Sequence, residues 1–226
     1  MERPFVYVNM AATVDGKITS AAREHPRFAS AADRRRMDRL RAEADAILVG
    51  AGTMRADDPP LHVRDLAVRR HRESLGKPPG LLRVLLTATG RIAGASRFFE
   101  DSDGGPRIVA TLDDAPLEAL AACTGRAEVW RLGRAEVDLR ELLRRLRLRG
   151  VERLLVEGGG ETNWGLLRDD LVDEVHVTVA PALLGGRAAP TLLEGDGWAM
   201  GERRRLRLVS VDREGDELFC RYAVIR

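Results

Sequence analysis

Glu157–Gly165, EGGGETNWG, sets three consecutive glycines between a carboxylate and a polar run, directly after the apolar stretch Arg153–Val156. Glycine loses more chain entropy on folding than any other residue. The triplet therefore implies a backbone turn, or a close approach, that a side chain would block. Where a strand ends at such a turn and Glu161–Arg168 continues as a helix, backbone N–H groups and the helix's partial positive charge face outward. That setting accepts a diphosphate. The stretch is not a P-loop, because no G-K-[ST] follows, and Asn163 occupies the third glycine position of a dinucleotide fingerprint. A tight strand-to-helix turn without a ligand accounts for the same residues and stands as the alternative to ligand binding.

Gly50–Arg64, GAGTMRADDPPLHVR, also begins where a strand ends. Gly50 and Gly52 leave room beside Thr53. Asp57 and Asp58 have the types of an acid/base pair, but carboxylates before Pro-Pro read first as turn formers. Arg64 suits bidentate contact with a phosphate. In Met10–Lys17, MAATVDGK, Ala11 and Ala12 are small enough for a flat ring to lie against the chain, and Asp15-Gly16 is a turn signal; a plain connection is the equal alternative. Thr87–Arg91, TATGR, offers hydroxyls and an arginine for the ribose phosphate that separates NADPH from NADH, or forms a solvated loop. His176 reads as a packed or surface histidine and the run 69–77, RRHRESLGK, as a solvated loop.

Elements must position these residues. Short apolar runs at 5–10, 46–50, 83–87, 107–111, 128–132 and 153–157 look like parallel strands buried on both faces. Between them, Leu139, Leu142, Leu143 and Leu146 make one helical stripe. Asp138 is spaced as its N-cap, Glu141 as the reciprocal acid and Gly150 as the residue after its end. Ser30 and Asp33 start a second helix in the same way, and a third is expected over Asp114–Ala122. The stretches Arg69–Gly80 and Glu100–Pro106 read as surface excursions. Toward the end, Val175, Val177 and Val179 alternate with His176 and Thr178, and two more alternating strands flank Glu214-Gly215-Asp216, a hairpin signal. One mixed sheet with helices on both faces, in a single domain over 1–226, is the simplest architecture.

At 226 residues the chain can bury roughly 70% of its unfolded surface without staples. Lys+Arg 37 against Asp+Glu 35 leaves +2, with arginines spread through every segment, so no stripe for nucleic acid emerges. Two distant cysteines and four scattered histidines lack disulfide or metal-ligand patterning. The start lacks a signal-peptide pattern, and no segment approaches 18 uninterrupted apolar residues. The expectation is a cytoplasmic protein without membrane or nucleic-acid partners.

Together, MAATVDGK, DAILVGAGTMRADDPPLHVR, LLVEGGGETNWGLL and LVDEVHVTVAPALLGGRAAPTLLEG resemble the riboflavin-pathway pyrimidine reductases. These occur as the C-terminal half of bacterial bifunctional deaminase–reductases and as free-standing archaeal and fungal enzymes. The resemblance runs from Phe5 to Gly195 and is closest to the free-standing archaeal type in Val156–Leu193. No H-x-E…P-C-x-x-C deaminase signature occurs. The resemblance implies a dihydrofolate-reductase-like three-layer α/β fold, a homodimer, and NADPH-dependent reduction of a ribosylamino-pyrimidine 5′-phosphate to its ribitylamino form. It implies cofactor contacts at Thr53, Asp57, Gly158, Gly159, Gly160, Glu161, Thr162, Asn163, Trp164 and Gly165. Ala11 and the segment Thr87, Ala88, Thr89 and Arg91 join them. Arg41, Leu61, Arg64 and Glu157 fall on substrate positions. On this reading hydride passes directly to an opened-sugar imine, Glu157 or Asp57 organises proton delivery, and Asp58 is structural. His25 and Arg27 depart from the smaller polar or aromatic residues the family carries there. The same scaffold also admits reduction of a dihydropterin or a specialised-metabolism aminopyrimidine, or a non-catalytic nucleotide-binding regulator.

Overall fold

Among residues 2–24, 30–100 and 103–226, which the computed structural model describes, the apolar runs form strands and the leucine stripe forms a helix. His25 and Arg27 lie outside the described residues. The elements, in chain order, are β1 (Phe5–Thr13), α1 (Ala31–Glu43), β2 (Ala46–Gly50), α2 (Ala51–Ala56), α3 (Leu66–Ser74), β3 (Leu82–Leu86), β4 (Arg107–Thr111), β5 (Glu128–Arg131), α4 (Leu139–Leu148), β6 (Arg153–Val156), α5 (Gly160–Arg168), β7 (Glu174–Ala180), β8 (Arg205–Glu214) and β9 (Glu217–Ile225). The strand order is β5-β4-β3-β2-β6-β1-β7-β9-β8. β2, β3, β4 and β5 pair in parallel, as do β1 and β7, whereas β7–β9 and β8–β9 are antiparallel. The sheet is thus mixed and mostly parallel, and the hairpin turns at Gly215 as its sequence predicts. The backbone divides into two units, one of Met1–Phe5 and Asp38–Leu155, the other of Val6–Met37 and Val156–Arg226.

Burial explains why these runs are strands. All of β2 and nearly all of β3, β4 and β6 are buried, which continuous apolar sequence permits and alternating sequence would not. In α4 the Asp138 carboxylate accepts from the Glu141 N–H at 2.9 Å, and Leu139, Leu142, Leu143 and Leu146 are buried. Each leucine contributes about 2 kcal/mol by leaving water. Gly150 follows with φ 84°, a left-handed end that glycine adopts without strain. The reciprocal half of the capping box is absent: Glu141 binds Arg144 and Arg145 instead, and the Asp138 N–H donates to the Leu132 carbonyl.

Two further sequence expectations fail. Asp114–Ala122 is not an α-helix but a turn followed by a 3-10 segment, Glu118–Cys123. Pro116 disfavours helical φ/ψ at the residue before it. The supposed loop at 69–77 is largely helical: α3 is capped by Asp65, whose carboxylate accepts from the N–H groups of Ala67 and Val68. Its Arg72 is fully buried.

Candidate functional site

The residues singled out by type and spacing fall at the carboxyl ends of their strands. Ala11 lies near the end of β1, Gly50 ends β2 with Thr53 and Asp57 in and after α2, Thr87 follows β3, and Glu157 follows β6. Register pairs Gly50 with Leu86, so Thr87 begins beside the start of α2. In open α/β sheets ligands bind at this end of the strands.

In the second unit, three of the four motif stretches brace one another. Gly158 and Gly159 have φ 84° and 79°. A methyl on Gly158 would meet Met10 Sδ at 2.9 Å, and one on Gly160 would meet the Thr191 carbonyl oxygen at 2.9 Å. The triplet therefore has internal reasons for being glycine, independent of any ligand. Asn163 and Trp164 turn inward: Asn163 Nδ2 donates to the Leu192 carbonyl at 2.9 Å, and Trp164 packs against Trp198 at 4.5 Å between ring centroids. Asp15, in the predicted turn, accepts from Thr13 Oγ1 and from the N–H groups of Leu184 and Gly185, which hold its pKa down at about 2. At the start of α5, Gly160 is buried against the 191–194 turn. The helix N-cap is Gly159, with no side chain capping the leading N–H groups, while Glu161 is exposed and Thr162 buried.

The first unit gathers arginines. Arg41, fully buried in the last turn of α1, donates from Nη1 to the His62 carbonyl at 2.8 Å. Asp38 accepts from Arg64 Nε at 3.5 Å and from the Asp65 N–H at 3.2 Å. Arg64 Nη2 is buried with no hydrogen-bond partner among the described residues, a donor that an anionic ligand would satisfy. Burial, then the Arg41 charge, lowers the pKa of His62. Leu61 is 2% exposed and belongs to the core. Asp57 caps the end of α2, whereas Asp58 accepts from Ser96 Oγ and the Arg97 N–H, the structural part predicted for it. Thr87 is buried, Ala88, Thr89 and Arg91 are exposed, and Thr89 Oγ1 accepts from the Arg91 N–H at 3.4 Å.

Sequence reasoning treated Asp33 only as a helix starter. Its N–H does donate to Ser30 Oγ at 3.1 Å, and Ser30 Oγ donates to Glu217. Its carboxyl, however, is buried, and burial raises its pKa, with the charges of Glu217 and Glu157 adding to the rise. Thr178 and Arg36 pull the other way, although the buried Thr178 Oγ1 makes no hydrogen bond of good geometry among the described residues. The signal available beforehand was an acid three residues after a serine, which capping alone explains. Of the packed and surface readings left for His176, the packed one holds: Nε2 lies 3.1 Å from Glu174 Oε2, and Arg221 forks onto the same carboxylate.

The family described as RibD C-terminal domain matches residues 4–219. A 2,5-diamino-6-ribosylamino-4(3H)-pyrimidinone 5′-phosphate reductase of Archaeoglobus fulgidus is 39% identical over 214 residues, covering 95% of each chain. The reductase of the same name from Methanothermobacter thermautotrophicus is 39% identical over 223 residues, covering 98% of this chain and 99% of its own. Among solved structures, a pyrimidine reductase-like protein from Corynebacterium diphtheriae superposes with TM-score 0.84 at 22% identity, over 99% of this chain and 92% of that one. The fold is therefore the dihydrofolate-reductase-like α/β architecture that the motifs implied.

Proposed function

The chain belongs to the RibD C-terminal domain family, and from that premise we propose that it reduces a ribosylamino-pyrimidine 5′-phosphate to the ribitylamino form with NADPH. Its coarser identity, an oxidoreductase of the pyrimidine-reductase type acting on a phosphorylated aminopyrimidine, follows from the family. The observation that carries the finer reading is 39% identity, over 95% of both chains, to a reductase named for that substrate.

The start of α5 suits a dinucleotide, because Gly159 supplies no side-chain cap to the leading N–H groups, which attract a diphosphate. In this reading Ala11, Thr53, Asp57, the Thr87–Arg91 segment and the Gly158–Gly165 turn hold the cofactor. Arg91 answers the ribose phosphate that distinguishes NADPH from NADH. Bound NADPH supplies hydride from nicotinamide C4. The first unit offers Arg41 and Arg64 to the substrate anion, and Leu61 backs the same segment. As the ribosylamine opens to an imine, the imine carbon gains the hydride and the nitrogen gains a proton. Glu157 or Asp57 organises delivery of that proton. The protein's contribution is distance, orientation and charge. The same proposal takes residues 1–226 as one reductase domain, working in the cytoplasm as a homodimer.

The test follows NADPH oxidation with the pyrimidine phosphate supplied in aminated and in deaminated form. Oxidation with one form supports the assignment and fixes the order of deamination and reduction. A flat trace with both, while NADPH binds, moves the protein to a relative acting on a dihydropterin or another aminopyrimidine, or to a non-catalytic binder. Absence of NADPH binding overturns the reading of the glycine turn. In an active protein, Glu157→Gln should lower kcat about a hundredfold, the usual scale for a lost general acid–base group, with NADPH affinity nearly intact. Unchanged kcat would remove Glu157 from proton delivery.

A further inference from the structure

Arg72 is a fully buried guanidinium on α3, in a stretch whose sequence reads as solvated. Its Nη1 donates to the carbonyls of Arg41 at 3.2 Å and Ala42 at 3.1 Å, and also to that of Ala44. Its Nε donates to the Pro78 carbonyl at 2.7 Å. The first three acceptors are carbonyls at and just past the end of α1, where the helix supplies few donors. Among the described residues, only the Arg41 carbonyl also accepts from a backbone N–H of this turn, that of Ala44 at 3.2 Å. The negative end of the helix dipole meets a cation that water does not reach. Arg41, one of those acceptors, carries its own side chain from the same turn to the His62 carbonyl. One turn earlier Asp38 holds Arg64 Nε and the Asp65 N–H that opens α3. Arg69 Nη2 closes the segment onto the Val63 carbonyl at 2.8 Å. The end of α1 and the segment 62–72 are thus cross-tied, and Arg72 is a tie with several acceptors and no solvent exposure.

We propose that Arg72 is a positioning residue for substrate binding, acting through Arg41 and Arg64; the inference rests on the reading that those two arginines hold the substrate anion. A guanidinium buried against carbonyls fixes direction as well as distance, because its planar donors are rigid. It sets where the last turn of α1 lies against the chain leading into α3. The buried, unpartnered Arg64 Nη2 is thereby aimed rather than free to swing. A neutral residue at 72 leaves the end of α1 without its guanidinium donor, and the two arginines lose their common frame.

The test compares Arg72→Ala, Arg72→Lys and Arg64→Gln in the intact protein. Steady-state kinetics on the pyrimidine phosphate are run beside NADPH binding. For Arg72→Ala the expected outcome is a KM raised about tenfold with kcat changed less than about twofold, the signature of lost uniform binding. NADPH affinity stays at the wild-type value. Millimolar guanidinium ion, far below denaturing levels, lowers the KM of Arg72→Ala and leaves that of Arg64→Gln unchanged. Arg72→Lys, with charge but no planar fork, lies between wild type and Arg72→Ala, and it serves as the test variant if the alanine protein does not fold. In Arg72→Lys/Arg64→Gln the KM effects fall short of their product, because the lysine change acts through the arginine already lost. A raised KM for Arg64→Gln with wild-type KM in folded Arg72 variants overturns the positioning role alone. Parallel losses of kcat and NADPH affinity without guanidinium rescue also overturn it, as a general loss of structure. Wild-type KM in Arg64→Gln overturns the substrate reading and this inference together.

Discussion

Asp33 brings a carboxyl into the interior of the second unit, where burial, then the charges of Glu217 and Glu157, raises its pKa above the ordinary value. The sign for stability follows from proton linkage. An acid whose folded pKa is raised favours the folded state below its unfolded pKa, and that advantage is lost as pH rises through the folded value. Asp33→Asn removes the ionisable proton while keeping an oxygen acceptor in place. The variant should therefore be more stable than wild type at pH 8, with the difference shrinking toward zero as pH falls to about 4, the unperturbed range of aspartate. Urea unfolding at several pH values reads this directly. A variant less stable than wild type at pH 8 would mean that Asp33 is ionised and gains more from Arg36 and the start of α1 than it loses by burial. None of this was legible in the sequence, because a Ser-x-x-Asp spacing is fully explained by capping. Glu157 is a candidate on sequence alone, because it stands between an apolar strand and a glycine turn. Asp57 reads as a turn former on its own spacing and becomes a candidate only through the resemblance of its motif.

Elements differed in legibility for physical reasons. α4 reads from its leucine stripe, and β2, β3, β4 and β6 from continuous apolar runs, since in each the buried face is written in apolar residues. α3 does not, because its one fully buried side chain is an arginine whose charge is met by backbone carbonyls. No hydropathy pattern marks such a helix. The glycine turn lies between these cases: its identity as a turn was plain, but not the packing that demands it. At Gly160 a methyl group would lie 2.4 Å from Glu194 Cγ, which can swing, and 2.9 Å from the Thr191 carbonyl oxygen, which is backbone. Glu194 also holds the Thr191 N–H and hydroxyl, so the 191–194 turn must shift as a unit. Gly160→Ala should cost about 1–3 kcal/mol, the range for overpacking a closed site. Gly201→Ala, with open space around the added methyl, should be within about 0.5 kcal/mol of wild type. Thermal or urea unfolding of the pair separates the two. Equal stability would mean that the turn yields freely and that the glycine is kept for a ligand's approach alone.

On the scale of the whole molecule, the β7–β9–β8 end of the sheet has two unlike faces. Register sets His176, Arg221 and Ser210 in one row and Thr178, Phe219 and Asp212 in the next. The start of α1 meets that face, with Arg36 5.2 Å from the Phe219 ring centroid and 3.8 Å from Asp212. The opposite face carries the rows Val177, Cys220, Val211 and Val175, Tyr222, Leu208. Leu208 is 51% exposed, Val211 47% and Leu218 39%. Alternation in the sequence had marked both faces as strand faces, and it could not say which one water would touch. A contiguous apolar face on an edge hairpin is an association surface, and a second copy of the chain is the occupant that the proposed homodimer requires. An isologous contact there sets the same strands against each other, so one substitution acts twice. Leu208→Glu places two unpaired carboxylates in the contact, each costing about 3–5 kcal/mol if desolvated. Dimer dissociation should then strengthen at least a hundredfold, at about 1.4 kcal/mol per tenfold. Sedimentation equilibrium should find wild type at twice the 24.9 kDa chain mass and the variant at the chain mass itself. A wild-type protein that sediments as a single chain, or a Leu208→Glu protein that stays paired, would leave this face open to water and place any dimer contact elsewhere.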